Sequence, residues 1–348
     1  MNKVLWRISM ILAVTMLAPL ARAGDLNPPG TPAPTMHTLE ELYQKVANLE
    51  ARLNADGKQV TSGSMVLIPA GEFVMGATTN MGHESYADDV PQHTVYISAF
   101  YMDKYEVTSN LWREVFTWAT NKGYSFGTVG IGKASDHPVH SVDWYDAIAW
   151  CNARSQRDGF TPCYTNADGS VYTNSTSTSI LAGGCNWSAD GYRLPTEAEW
   201  EKAARGGEAN RRFPWNDANS IQHVRANYYS DYSFFSYDTN PTIGYHPNYN
   251  FGSAPNSSPV GSFSPNGYGL YDMAGNVSEW CWDKYSSGYY SSSPSSDPQG
   301  PALVSVDFRV LRGGSWNSYA PLTMVANRYS NYPYIEDAEF GFRCVRGL

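Results

Sequence analysis

Arg312-Gly-Gly-Ser-Trp316 and, close to the C terminus, Gly341-Phe-Arg-Cys-Val-Arg346 are the two stretches on which the reading of this chain turns. Arg312 closes a strand-like apolar run, and the paired glycines allow the backbone to bend where a Cβ would obstruct it. Trp316, Asn317, Ser318, Tyr319, Asn327, Arg328, Tyr329, Asn331, Tyr332 and Tyr334 follow. Tyr, Trp, Ser and Asn are the residue types that build adaptable binding faces. The same aromatics also serve as core filler in irregular folds. Trp316 and Tyr329 read as filler; Tyr319 and Tyr332 stay open between the two readings.

Two motifs lie upstream. Arg193-Leu-Pro-Thr-Glu-Ala-Glu-Trp-Glu201 predicts a helix entered at Pro195 and capped by Thr196, with Glu199 as its capping-box partner and Trp200 as anchor. Its three glutamates suit the positive end of the helix dipole. Tyr268-Gly-Leu-Tyr-Asp-Met-Ala-Gly-Asn-Val-Ser-Glu-Trp280 spaces Asp272, Gly275, Val277 and Glu279 as a loop that combines carboxylates with inward carbonyls, which is what Ca²⁺ takes. A turn capped by Asp272 with Glu279 paired to an arginine is the other reading of the same spacing.

The chain has 348 residues and a net charge of −9, which disfavours nucleic acid as a partner. Aromatics make up 14%, and 30 Gly and 21 Pro accompany them, a composition suited to a loop-rich domain with large anchors. Residues 1–23 read as a signal peptide: Lys3 and Arg7, an apolar run from Ile8 to Leu20, and Ala21-Arg22-Ala23 as cleavage site. That run is short for a membrane span, so the expectation is export, secreted or periplasmic. Residues 24–37 form a Pro-rich linker. Residues 38–54 carry an a/d seam, Leu39, Leu42, Val46, Leu49 and Leu53, opened by a Thr38/Glu41 capping box. This short coiled-coil helix predicts either a homo-oligomer or a helix folded back on the domain.

The globular domain is expected over residues 64–348. Met65 to Gly76 reads as two strands about a turn, with further strands at Val95–Ile97 and from Phe100. Helices are expected from Thr108 to Trp118 and from Asp143 to Arg154. Residues 205–265 show little periodicity, and a stretch of that length inside a domain usually has a function or ligand to fix it.

Taken together, the four motifs resemble the sulfatase-modifying-factor family, whose founding members are formylglycine-generating enzymes. The resemblance implies an α+β, C-type-lectin-like fold, with a twisted antiparallel sheet, few helices and much irregular structure. It also implies a copper-dependent oxidase that uses a cysteine pair just after Arg-Gly-Gly-Ser. At the matching positions this chain has Ser318 and Thr323. Hydroxyls do not hold Cu(I), a soft ion that selects thiolates, so copper is not expected. Two functions follow as expectations: a non-oxidising, calcium-stabilised binding or scaffolding module for a peptide, protein or glycan, or a formylglycine-generating or diverged enzyme of the family. Groove candidates are Ser315, Trp316 and Arg328. The resemblance further implies calcium at Asp272, Gly275, Val277 and Glu279, a second calcium at Asn227 and Tyr228, and a disulfide between Cys151 and Cys344.

Five cysteines in an exported chain leave one over. Cys163 and Cys185 flank a Ser/Thr/Gly-rich insertion and are the expected second disulfide, leaving Cys281 as the free thiol. None of the seven histidines stands in a nucleophile elbow. His137-Pro-Val-His140 has metal-like spacing but reads as two satisfied histidines facing opposite sides.

Overall fold

The computed structural model describes residues 64–77, 88–176, 180, 184–302 and 304–348. Contacts divide the chain into Met1–Val60 and Thr61–Leu348, and every described residue belongs to the second unit. The expected signal peptide, linker and coiled-coil helix lie outside the described residues. Among those described, no helix is long and apolar enough to cross a membrane.

The strands are β1 (Met65–Ile68), β2 (Gly71–Met75), β3 (His93–Ile97), β4 (Phe100–Asp103), β5 (Tyr164–Thr165), β6 (Gly184–Cys185), β7 (Ser278–Lys284), β8 (Arg309–Arg312), β9 (Tyr329–Asn331), β10 (Phe340–Gly341) and β11 (Val345–Arg346). The helices are α1 (Ser109–Thr120), α2 (Trp144–Asp158) and α3 (Glu197–Arg205). The architecture is α+β, as expected, but the strands form several small sheets: β1-β4-β11, β10-β7-β8-β9, β2-β3 and β5-β6. One pairing departs from the antiparallel expectation. β10 runs parallel to β7, setting Gly341 beside Glu279.

Each helix starts where its cap dictates. The side chains of Thr108 and Asp143 accept from Leu111 and Asp146 backbone N–H groups, and Thr196 with Glu199 makes the full capping box. Trp112 of α1 stacks on Trp150 of α2 at 5.7 Å, with Phe342 edge-on to both. The C-terminal Phe-Arg-Cys segment is therefore part of the main core.

Charge is buried as well. Arg312 donates to Glu197 (3.2 Å) and Glu201 (2.7 Å), while Arg328 grips both Glu197 oxygens at 2.7 and 2.9 Å. Arg205 adds a second partner to Glu201 at 2.7 Å. Arg328 is thus a buried structural cation and not the groove residue expected from its sequence surroundings.

All five cysteines are thiols. The sulfurs of Cys151 and Cys344 face each other at 3.6 Å, beyond the ~2.05 Å of a disulfide, so the expected partners are brought together without being bonded. Cys163 and Cys185 are likewise hydrogen-bonded thiols at the start of the β5–β6 pair. Cys281 is buried between Trp280 and Trp282 in β7.

Removing one member of a buried ion pair leaves an uncompensated charge, at a cost of about 3–5 kcal/mol. Arg328→Met is therefore expected to lose stability on that scale in urea unfolding. A loss below about 1 kcal/mol would show that Glu197 is satisfied without it.

Candidate functional site

Two adjoining regions collect the sequence motifs. The first is the turn after β8. Gly313 and Gly314 adopt φ of +87° and +68°, and a Cβ on Gly313 would meet the Trp200 ring at 3.0 Å, while one on Gly314 would meet the Leu322 carbonyl at 2.8 Å. Only glycine accepts both constraints. The turn then folds on itself. Ser315 N–H donates to the Ser318 hydroxyl at 2.9 Å, and Ser318 N–H returns to the Ser315 carbonyl at 3.1 Å. The Ser315 and Ser318 hydroxyls are 3.1 Å apart, and the Ser315 hydroxyl donates in turn to Glu339. Asn317 Nδ2 donates to the other Glu339 oxygen at 2.8 Å.

Thr323 ends a 3-10 turn, Ala320–Thr323, fully buried, and its hydroxyl donates to the Ala320 carbonyl at 2.9 Å. Ser318 and Thr323 are thus both tied into local hydrogen bonds. Among the described residues neither is hydrogen-bonded to a histidine or carboxylate that would act as base, which nucleophilic catalysis by a hydroxyl needs.

Tyrosines frame this floor. Tyr229 lies 4.8 Å from Tyr245 and 5.2 Å from Tyr319, and Tyr245 lies 5.7 Å from Trp316, all as ring centroids. The Tyr245 hydroxyl donates to Asn317 Oδ1 at 2.9 Å. Trp316 is buried, as its sequence reading had it. Tyr329 is 45% exposed, against the reading as filler, because β9 has only β8 beside it. Tyr319 and Tyr332 are 45% and 38% exposed, which resolves both toward the surface.

The irregular segment that carries Tyr229 and Tyr245 is set by buried histidines. His223 Nε2 donates to the Tyr228 carbonyl and Nδ1 accepts from Asn240 Nδ2, each at 3.1 Å. His246 Nε2 donates to the His223 carbonyl at 2.8 Å. Burial, reinforced by His246, lowers the His223 pKa to about 4. His137 and His140 are separately satisfied by Ser257 and Ser141 at 3.0 Å each, so the metal-like spacing holds no shared site.

The second region is the Asp272–Glu279 loop. Glu279 has both oxygens engaged: Arg343 donates to Oε1 at 2.7 and 2.9 Å and to Oε2 at 2.8 Å, and Trp200 Nε1 donates to Oε2 at 2.8 Å. The same guanidinium reaches the carbonyls of Asp103, Lys104 and Tyr271. Glu106, which sequence reasoning missed, enters from the end of β4 and accepts from Val277 N–H at 3.0 Å and Asn276 Nδ2 at 2.6 Å. Asp103, Lys104 and Glu106 stand together between Phe100 and Val107, so nothing local in the sequence singled Glu106 out. Burial first, and then Asp272 and Glu279, drive the Glu106 pKa well up. Burial also raises Asp272 to about 6; one of its oxygens accepts from Gly261 N–H at 2.6 Å and the other is buried without a hydrogen bond.

Of the expected ligand carboxylates, Glu279 is thus taken up by Arg343 and Trp200, while Asp272 keeps one buried oxygen without a hydrogen bond. Asn227 and Tyr228 are engaged too, Asn227 Nδ2 with the Asn256 carbonyl at 2.8 Å and the Tyr228 carbonyl with His223. Among the described residues no three His, Cys, Asp or Glu side chains converge as a metal cluster.

Residues 50–348 match the sulfatase-modifying factor enzyme 1-like domain. The chain belongs to the sulfatase-modifying factor family. It is 34% identical to the formylglycine-generating enzyme of Streptomyces coelicolor over 80% of this chain and 88% of that one. It is 31% identical to chaperone protein LppX of Paenibacillus barcinonensis over 80% and 86%. A serine/threonine-protein kinase, pkn1 of Chlamydia pneumoniae, matches at 32% over 86% of this chain but only 40% of its own length. Among solved structures, Treponema denticola variable protein 1 superposes with a TM-score of 0.62 at 30% identity, covering 82% of this chain and 95% of that one. PvdO from Pseudomonas aeruginosa gives 0.59 at 26%, covering 82% and 94%. These family neighbours share the α+β, C-type-lectin-like fold.

Two measurements check the site. Glu279→Gln leaves Arg343 without its counter-charge and is expected to lower the melting temperature by the same amount in chelator as in millimolar calcium; a loss seen only with calcium would restore the metal reading. His223 holds its neutral form down to a pKa below the 6.5 of an ordinary imidazole, so its contribution is full above pH 6.5 and fades as pH falls toward 4. An NMR titration is expected to place the His223 midpoint near the lower value, with acid loosening of the Tyr229–Tyr245 wall. A midpoint near 6.5 would contradict the buried tautomer.

Proposed function

We propose that this chain is an exported binding module that keeps the groove of its family without the family's oxidative chemistry. The observation that carries this reading is the state of Ser318 and Thr323. Both stand where the resemblance puts a thiol pair, and both spend their hydroxyls on local hydrogen bonds. A thiolate pair selects Cu(I), and copper supplies the oxygen chemistry that no ordinary side chain performs. Two neutral hydroxyls, one of them fully buried, offer neither a soft ligand nor a redox couple.

What remains is a rigid polar floor framed by tyrosines, with side chains that stack and donate at small entropic cost. The names of the relatives fit a domain with uses besides oxidation, since they include a chaperone and a variable protein as well as formylglycine-generating enzymes. Export rests on the charged, apolar and small-residue pattern of residues 1–23. Residues 38–54 supply the seam through which copies of the module associate.

The enzyme reading is supported by the 34% identity to formylglycine-generating enzymes and is separated by one experiment. Purified protein is expected to carry no stoichiometric copper, to consume no oxygen with a cysteine-containing sulfatase peptide, and to release no aldehyde. Copper binding with turnover of that peptide would overturn the binding reading.

A further inference from the structure

The chemistry of the groove's ligand can be narrowed, given that the groove is a binding face as proposed above. Glu339 stands at the edge of the floor, half-buried. Its oxygens accept one hydrogen bond each, from Ser315 and from Asn317. A carboxylate has about four acceptor positions, so one on each oxygen stays open. The two donors fix the plane of the carboxylate, and the Ser315 turn fixes the donors. Tyr245 and Tyr329 both lie within reach of its charge: burial raises their phenol pKa values first, and Glu339 raises both further.

Among the described residues no Lys or Arg pairs with Glu339. Arg312 and Arg328, the cations on either side of the turn in sequence, are spent on Glu197 and Glu201 in the interior. Tyr229, Tyr245 and Tyr319 pack edge to face, with Tyr319 45% exposed, and aromatic faces carry negative potential, which attracts cations rather than anions. An oriented carboxylate beside aromatic faces is complementary to a planar guanidinium or an ammonium group.

We infer that this groove takes a peptide or protein segment through one Lys or Arg side chain, whose cationic head meets Glu339 while its methylene stem lies along the tyrosines. A neutral glycan would use the same tyrosines and leave the open carboxylate positions to water.

The purified chain, panned against a bead-bound random hexapeptide library at low salt, tests this. The recovered peptides are expected to share Lys or Arg at one position. Replacing that residue by citrulline or acetyl-lysine is expected to weaken binding by about fivefold, the scale of one part-exposed charge pair with a ring contact. Glu339→Gln, checked for an unchanged melting temperature, is expected to remove the same factor and most of the salt dependence, and Glu339→Asp to restore part of both. Tyr319→Ala is expected to weaken every recovered peptide, charged or not. Peptides recovered without a shared cationic position, or binding only on a glycan array, would overturn the cationic ligand while leaving the groove as a binding face. Failure to recover any peptide or glycan would overturn both.

Discussion

A buried ion network joins the motifs that first drew attention. Arg312 at the end of β8 binds Glu197 and Glu201 on α3, and Arg328 binds Glu197 from the segment beyond the groove. Arg312 also donates to the carbonyls of Val325 and Ala326, at 2.6 and 3.2 Å. One guanidinium thus fixes the chain both before the Gly313-Gly314 turn and after the Ala320–Thr323 turn. Arg343 does the same for the Asp272–Glu279 loop, with Glu279 and three carbonyls as partners. Buried charges tolerate little displacement, because attraction repays desolvation only at good geometry. An irregular domain with small sheets gains a unique arrangement from such pairs where regular secondary structure cannot supply one.

The turn after β8 is held by the fold's own contacts. Gly313 and Gly314 bend against Trp200 and Leu322, and Ser315 and Ser318 close the turn. Hydroxyls in the thiol positions are absorbed into the turn's own hydrogen bonding.

Much of the scaffold was legible in the sequence because it is local. Thr108, Asp143 and Thr196 cap their helices through bonds spanning three residues, and the glycine pair after Arg312 marks its own bend. What escaped depends on partners far along the chain. Arg328 sits among Asn and Tyr, and only Glu197, 131 residues away, makes it a core cation. Glu106 meets Asn276 across 170 residues. Glu279 pairs with an arginine, one of the two readings its spacing allowed, but that the partner is Arg343, 64 residues on, emerges only once the C-terminal strand is placed. The parallel pairing of β10 with β7 was hidden for the same reason, being two residues long and fixed by Arg343 beside it.

The main chain of the groove is anchored independently of its outward side chains. Ser318 accepts from Tyr229 N–H through its carbonyl, Leu322 N–H closes on Tyr319, Ile335 N–H closes on Tyr332, and β9 is held by ladder bonds to β8. Tyr319, Tyr329, Tyr332 and Tyr334 meanwhile project into solvent. Exchanging those side chains leaves the supporting bonds intact, so the chemistry of this exposed face can change while the fold stands still. That face is in this sense an evolutionary dial, its setting left open by the backbone beneath it.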